Sequence, residues 1–546
     1  MSSPGTDPAS AYSRHVNARF RDFTNPRTPW SRRLWDVGTF LTLEELHEVG
    51  QWLDRQVLSP SAVNWLQRSL EARLGQDAAF GSKELRQQLT QCLRSDLTVR
   101  SDGRRRLRHV IDVARPGYLD RWAAQVALDE PPGAERAARA TAAHLLDSGH
   151  SLVGLRRWLG EHSQCSAVDL LVQAAELADK GPRMFSIWVR VNDLPEIVRL
   201  ADPLPHFTRH ASLPGPIADK LRSLDSIPAL GAFNYTVEAR DAERAVELVS
   251  EVIERMRARA RFAHSNRHIV FSSEVYVETE DRFIELRVPD RNAAIMSLMT
   301  EGQLLDVIPA KTYAAERHAI DDALELAAPL NSGGLAPAIS GAWAALEALL
   351  TDSQDSDKKE GKVGAATHAA RLVACSWPRA ELTALSYRID PERGTGRELS
   401  ARLDVAETNR DRSQIIADQL RNTGQIPLLR TWRLPSDAAA VTRMNRLLAN
   451  PTGMLTQVSD YVEGSLRRMY RCRNVIVHGG STRGDVLDST LRVVAPLVGA
   501  TLDRITHAHI VLGIEPLELA TRADAAVALA SDHSMGPHIV DLLGRR

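Results

Sequence analysis

GSLRRMYRCRNVIVHGGSTRG, residues 464–484, holds five arginines and no acidic residue. Joined to the preceding GMLTQVSDYVE (453–463), it reads as the end of one long helix that two glycines stop. Within that helix the neighbours of Arg473 at three and four residues are Met469, Tyr470, Ile476 and Val477. A guanidinium thus sits in the middle of an apolar stripe. It must be buried with a partner or placed in a seam between subunits, because an unpaired buried charge is very costly. Gly479 and Gly480 leave His478 in the last helical turn or just beyond it, beside carbonyls that lack helical partners.

Outward from this helix, no strand pattern recurs between about residue 303 and the end. Helices fit 311–330, PAISGAWAALEALLT (337–351), 364–376, an Arg/Asp-rich segment near 397–422, 437–449 and 485–512, with an acidic loop, DSQDSDKKEG, at 352–361. This C-terminal part, 301–546, reads as an all-helical domain of bundle type. Upstream the period changes to two. Phe185, Ile187, Val189 and Val191 alternate with polar or bulky partners, FNYTVEA (233–239) does the same, and 268–289 reads as two strands around a Thr279–Arg282 turn. DAERAVELVSEVIERMRARARF (241–262) is a helix with Asp241 as its N-cap. So 181–300 is expected to be a small α+β domain. From 26 to 180 the patterns are helical, with breaks at SDGRRRLRH (101–109) and DEPPG (129–133), and 1–25 reads as a disordered tail. The fold class is therefore mainly α with a small α+β domain.

Composition narrows the function classes. The chain has 546 residues, 43% of them apolar, and a net charge of −1, which argues against a protein that coats polyanions over its whole surface. Cys92, Cys165, Cys375 and Cys472 are scattered, so neither a thiolate metal cage nor a disulfide framework is expected. The N-terminus lacks the order of a signal peptide and no run reaches about 18 apolar residues. A soluble, cytoplasmic protein with no membrane partner is the expectation. P-loop, GxGxxG, HExxH, GxSxG and EF-hand motifs are absent, and His507 and His509 are two apart on a helix, pointing to different faces. No metal or cofactor is called for. The basic runs 104–109 and 255–261 either meet phosphates or are a solvated loop and the cationic C-terminal end of a helix.

Arg and His five apart at a helix end suggest metal-free RNA cleavage. That chemistry needs a group that exchanges a proton near neutrality, for the 2′-OH or the leaving group, and a fixed cation for the crowded phosphate. Spacing alone is weak, since six Arg-x4-His pairs occur in this chain. Among them Arg473/His478 has Asn474 directly after the arginine, an apolar filling and a Gly-Gly stop. RNVIVHGG in this setting resembles the signature of the HEPN superfamily, and GAWAALEALLT resembles the Leu/Glu-rich early helix of its Apea-like branch. The resemblance covers about 310–512. It implies Arg473 and His478 as the catalytic pair with Asn474 as the accompanying polar residue. It also implies a homodimer through the signature helix, which would join two Arg/His sets in one cleft.

Glu347, beside the Ile339, Trp343, Leu346 and Leu350 face of its helix, is then either the carboxylate that orients Arg473 or a helix-boundary residue in solvent. Tyr470 either stacks on a base or packs, and Arg467, Arg468 and Arg471 are candidate RNA contacts. The function implied is a metal-independent endoribonuclease leaving a 2′,3′-cyclic phosphate. Residues 1–300 would be a sensor that holds it in check until a phage-derived or nucleotide trigger binds, in anti-phage defence (abortive infection) or another stress response. Two other readings stay open. One is a non-catalytic HEPN-like module for dimerisation and RNA or nucleotide binding; the other is a structural or transcriptional protein whose Arg473 makes only a core ion pair.

Overall fold

The computed structural model describes residues 8–74, 77–162, 164–195, 205–224, 229–263, 269–288, 290–300, 304, 318–351, 363–431, 433–481, 485–532 and 536–544. The acidic loop expected at 352–361 lies outside them. Ahead of the sheet run α1 (Pro8–Thr24), α2 (Thr39–Asp54), α3 (Pro60–Leu74), α4 (Lys83–Leu93), α5 (Asp102–Ala114), α6 (Tyr118–Val126), α7 (Ala134–Asp147), α8 (Leu152–Glu161) and α9 (Ala167–Asp179). The strands are β1 (Arg183–Asp193), β2 (Phe207–Arg209), β3 (Gly231–Ala239), β4 (Val270–Phe271), β5 (Glu274–Val277) and β6 (Arg282–Glu285), with α10 (Gly215–Arg222) and α11 (Ala242–Phe262) among them. Then follow α12 (Ser297–Thr300), α13 (Ala319–Ala327), α14 (Pro329–Ser332), α15 (Leu335–Leu350), α16 (Gly364–Ser386), α17 (Gly396–Asp404), α18 (Asn409–Thr423), α19 (Leu434–Ala449), α20 (Pro451–Gly479), α21 (Asp485–Leu512) and α22 (Pro516–Leu529). Mainly helical with a small antiparallel sheet is the class the sequence implied. No described helix is long and apolar enough to cross a membrane.

The chain divides into two compact units, and not along the boundaries read from the sequence. One comprises 1–144, 163–175 and 291–546; the other comprises 145–162 and 176–290. Front helices and C-terminal helices therefore share one body in the larger unit. Trp35, Val37 and Leu41 enter the same apolar cluster as Trp343, Trp377, Leu466, Met469 and Val494, and Trp35 meets Trp377 edge-on at 6.0 Å. The middle helices join it too, through Leu399, Leu403, Ile416, Leu420 and Met444.

A buried ionic network ties the same parts together. Arg19 of α1 binds Glu135 of α7 through Nε at 2.9 Å and Asp22 through Nη1 at 2.6 Å. Arg443 of α19 donates to Glu381 of α16 at 2.9 Å, while Arg32 reaches both Glu381 (3.2 Å) and Asp437 (2.8 Å). These contacts explain why 8–24 is a helix and no tail. The composition is polar, but Val16, Phe20 and Phe23 are buried and Arg19 has a partner, Glu135, more than a hundred residues away. Two helices also run through an internal proline, α16 at Pro378 and α21 at Pro496, against the usual reading of proline as a stop.

In the smaller unit the strand order is β2-β3-β1-β5-β6, with β4 also paired to β1, and every pairing is antiparallel. The expected alternation holds: Phe185, Ile187, Val189 and Val191 cluster with Val246, Val249 and Ile253 of α11. On the opposite face Trp188 is buried with Ile217 and Leu221 of α10. Asp241 caps α11 as expected, its Oδ1 accepting from the Arg244 N–H at 2.8 Å. The basic run 255–261 is the cationic C-terminal end of that helix. By contrast 104–109, read as part of a break, lies inside α5, which opens at the Ser101 cap, and Arg105 and Arg108 pair with Asp102 and Asp112.

The buried carboxylates set an acid limit. Burial alone would raise the pKa of Glu135 and of Glu381, yet Arg19 on the first and Arg32 with Arg443 on the second outweigh it and hold both below the usual carboxylate range. Depressed carboxylates contribute stability that is complete above their unfolded value, about 4.3, and is lost as pH falls through the folded value. The melting temperature of the larger unit should stay level from about pH 7 to 5 and drop below about pH 4. A calorimetric series that instead loses stability between pH 7 and 5 would contradict the assignment.

Candidate active site

α20 carries the arginine-rich segment. Asn450 caps it, accepting from the Gly453 N–H at 3.1 Å, and Gly480 ends it in the left-handed region with φ 63°, its N–H bonding the Val475 carbonyl. Gly479 lacks a side chain for a different reason. A Cβ there would lie 2.7 Å from the Trp52 ring of α2. The end of α20 is therefore pressed against the front helices, and the chain turns away directly after His478.

At that end Arg473, Asn474 and His478 come together. Arg473 is half-buried, Asn474 buried and His478 exposed. The Arg473 Nη1 donates to the Asn474 Oδ1 at 3.1 Å and lies 3.3 Å from His478 Nε2. A guanidinium cannot accept a hydrogen bond, so in this pairing Nε2 carries the lone pair and Nδ1 the proton. Asn474, buried beside the arginine, fixes one edge of the guanidinium and leaves the imidazole on the surface. Val477, adjacent in sequence, is exposed at 51%.

Three other arginines of the segment are placed differently from the sequence expectation. Arg468 and Arg471 are buried, and each binds one oxygen of Glu45 in α2: Arg468 Nε to Oε2 at 2.8 Å and Arg471 Nε to Oε1 at 2.6 Å. Arg468 also donates to Thr42 Oγ1 at 3.0 Å and lies 3.7 Å from Asp36. Burial alone would raise the Glu45 carboxyl, but Arg471 and Arg468 outweigh it and hold it below the usual range. Arg467 pairs with Glu463 at 2.6 Å and lies over the Trp65 ring at 4.6 Å. As RNA contacts, Arg468 and Arg471 are corrected here. Their charge is satisfied inside the fold, so the positive patch seen in the sequence is largely internal.

Glu347 is corrected as well. Trp343 of α15 meets Tyr470 at 4.8 Å between ring centroids. The Leu350 carbonyl bonds His368, whose neighbour Thr367 donates to Glu463. α15 thus runs antiparallel to α20, which puts Glu347 one turn toward Glu463 and away from Arg473. The two make no ion pair. Tyr470 packs on Trp343, the packing alternative of the two weighed for it. Cys472 is buried beside Thr490, its thiol pushed up to about 12 by burial and by Glu45.

Sequence reasoning missed Glu45, Thr42 and Trp52. Nothing near TLEELHEVGQW marks them, because their partners lie more than four hundred residues away. One described group has metal-ligand spacing: His318, His509 and Glu515. His318 Nδ1 already accepts the Ile320 N–H at 3.2 Å as a helix cap, which conflicts with ligation through either ring nitrogen of a neutral imidazole. Comparison with family models, curated proteins and solved structures finds no match for this chain.

Removing the Glu45 carboxylate leaves two buried guanidiniums facing each other. Glu45→Ala should lower unfolding stability by about 3–5 kcal/mol in chemical denaturation. Were Arg468 and Arg471 surface contacts for RNA, the variant would unfold at the wild-type midpoint.

Proposed function

We propose that the chain is a metal-independent endoribonuclease of the HEPN type, acting through Arg473, Asn474 and His478. The observation that carries this reading is the meeting of those three side chains at an exposed helix end. Arg473 lies within hydrogen-bonding distance of both of the others, and His478 is open to solvent.

The chemistry follows from the groups. An RNA 2′-oxygen attacks the adjacent phosphorus, the P–O5′ bond breaks, and the products are a 2′,3′-cyclic phosphate and a 5′-OH. One proton must leave the 2′-OH and one must reach the 5′-oxygen. His478 Nε2, bearing its lone pair, takes the first. Arg473, always protonated, turns from His478 to the phosphate and stabilises the added negative charge. Asn474 keeps the guanidinium edge in place as it does so.

One histidine supplies one proton-transfer group. A second copy of the site, brought by a partner protomer through the end of α20, would supply the acid for the leaving oxygen. The exposed Val477 beside His478 suits such a seam better than open water. In this reading the front helices regulate by position. Glu45 and Trp52 of α2 grip α20 from behind, so a trigger that shifted α2 would move the catalytic end. A defence or stress setting fits an RNase that must stay silent until then.

His478→Gln separates catalysis from binding. Cleavage of total RNA should fall at least about a hundredfold, while filter binding of the same RNA changes less than about threefold. Retained cleavage in His478→Gln would sink the assignment. RNA binding that disappears with Arg473→Ala, in a protein without cleavage, would favour the binding module.

A further inference from the structure

A cavity of about 950 Å³ opens in the larger unit between the second halves of α16 and α21, the start of α18 and the segment near Leu543. It lies away from the catalytic end. Thr490 of α21 adjoins Cys472 of α20, whereas the cavity's Arg504 is fourteen residues further along α21, roughly 21 Å at 1.5 Å per residue. Arg379, Arg410, Arg504 and His507 line it, together with the half-buried ring of Trp30.

The charges are unevenly satisfied. Arg410 grips Asp541 with two bonds of 2.6 Å and also pairs with Asp411 at 3.2 Å. Asp503 turns its carboxylate to the Ser297 N–H at 2.7 Å. Arg504, by contrast, donates to the Leu543 carbonyl at 3.3 Å and forms no ion pair among the described residues. Burial and then the neighbouring Arg379 draw its guanidinium down to about 10. Arg379 is lowered as well, by burial, against the partial support of Asp541. A fold that holds two partly desolvated guanidiniums near each other, one without a carboxylate partner, carries a cost that an anion between them would remove.

We propose that this cavity binds a phosphorylated small molecule of nucleotide size, its phosphate held by Arg379 and Arg504 with His507 beside them and its flat heterocycle against Trp30. The volume is that of a small-molecule site. Guanidiniums match phosphate oxygens in a planar fork, and an indole is the surface on which a base stacks. The proposal stands whether or not α20 carries a nuclease.

The test uses the full chain, with ATP, pyrophosphate and citrate as probes, by calorimetric titration and thermal melting. ATP should bind saturably and raise the melting temperature, pyrophosphate should compete with it, and Arg504→Gln should weaken ATP at least tenfold. Without ligand, Arg504→Gln should melt no lower than wild type, because it removes a buried charge that has no ion-pair partner. Arg473→Ala should keep wild-type affinity for ATP, which separates this cavity from the catalytic end. Absence of ATP and pyrophosphate binding, equal ATP affinity in Arg504→Gln, or citrate binding as tightly as ATP would each overturn the assignment.

Discussion

Glu45 accepts charge-assisted hydrogen bonds from both Arg468 and Arg471, and much of the larger unit is arranged around that contact. Two guanidiniums withdrawn from water need a carboxylate in good geometry, and this one comes from a helix near the other end of the chain. The ion cluster fixes α2 along α20. Ser465 bonding the Trp35 carbonyl at 2.6 Å and Gly479 against Trp52 extend the contact to both ends of the arginine-rich segment. A second network, Arg19–Glu135 and Arg32–Glu381–Arg443, does the same for α1, α7, α16 and α19. The front of the chain is thus built into the body that holds the candidate site.

This arrangement divides the labour among the arginines of α20. Those facing α2 are structural, with buried partners. Arg473 faces away from Glu45, and its polar contacts are Asn474 and His478. The helix stops one residue after the histidine because Gly480 takes a left-handed conformation and Gly479 leaves room for an indole. The imidazole is thereby left at an edge where a substrate, or a second protomer, can reach it. In the proposed reading the same packing gives regulation a mechanical route, since α2 touches the catalytic helix and its last turn.

Local pattern revealed the elements that near neighbours decide. The two-residue period of β1, the Asp241 cap and the helical run ending at Gly479–Gly480 are near-neighbour properties, and each appears in the structure. The grouping of Arg473, Asn474 and His478 was legible for the same reason: all three lie on one helix within six residues. What was not legible depends on distant partners. Arg468 and Arg471 look in sequence like a surface patch, because nothing local says that Glu45 will cover them. Pro8–Thr24 looks like a tail because its burial depends on α7 and α19. Glu347 was a candidate partner for Arg473 because it sits beside the apolar face of its helix, and the antiparallel run of α15 against α20 moves it away. Pro378 hid the true length of α16, read as ending at 376 and running on to Ser386, since packing holds the helix through the missing hydrogen bond; α21 was read through Pro496 at its full length.

The most direct measurement is the chemistry of the RNA ends left by the wild-type protein in EDTA. A 2′,3′-cyclic phosphate with a 5′-OH is the result the account predicts, since the 2′-oxygen is the nucleophile and a side chain carries the proton. Cleavage leaving a 3′-OH and a 5′-phosphate, or cleavage that EDTA abolishes, would mean that water or a metal-bound hydroxide attacks. The Arg473–His478 account would then be wrong.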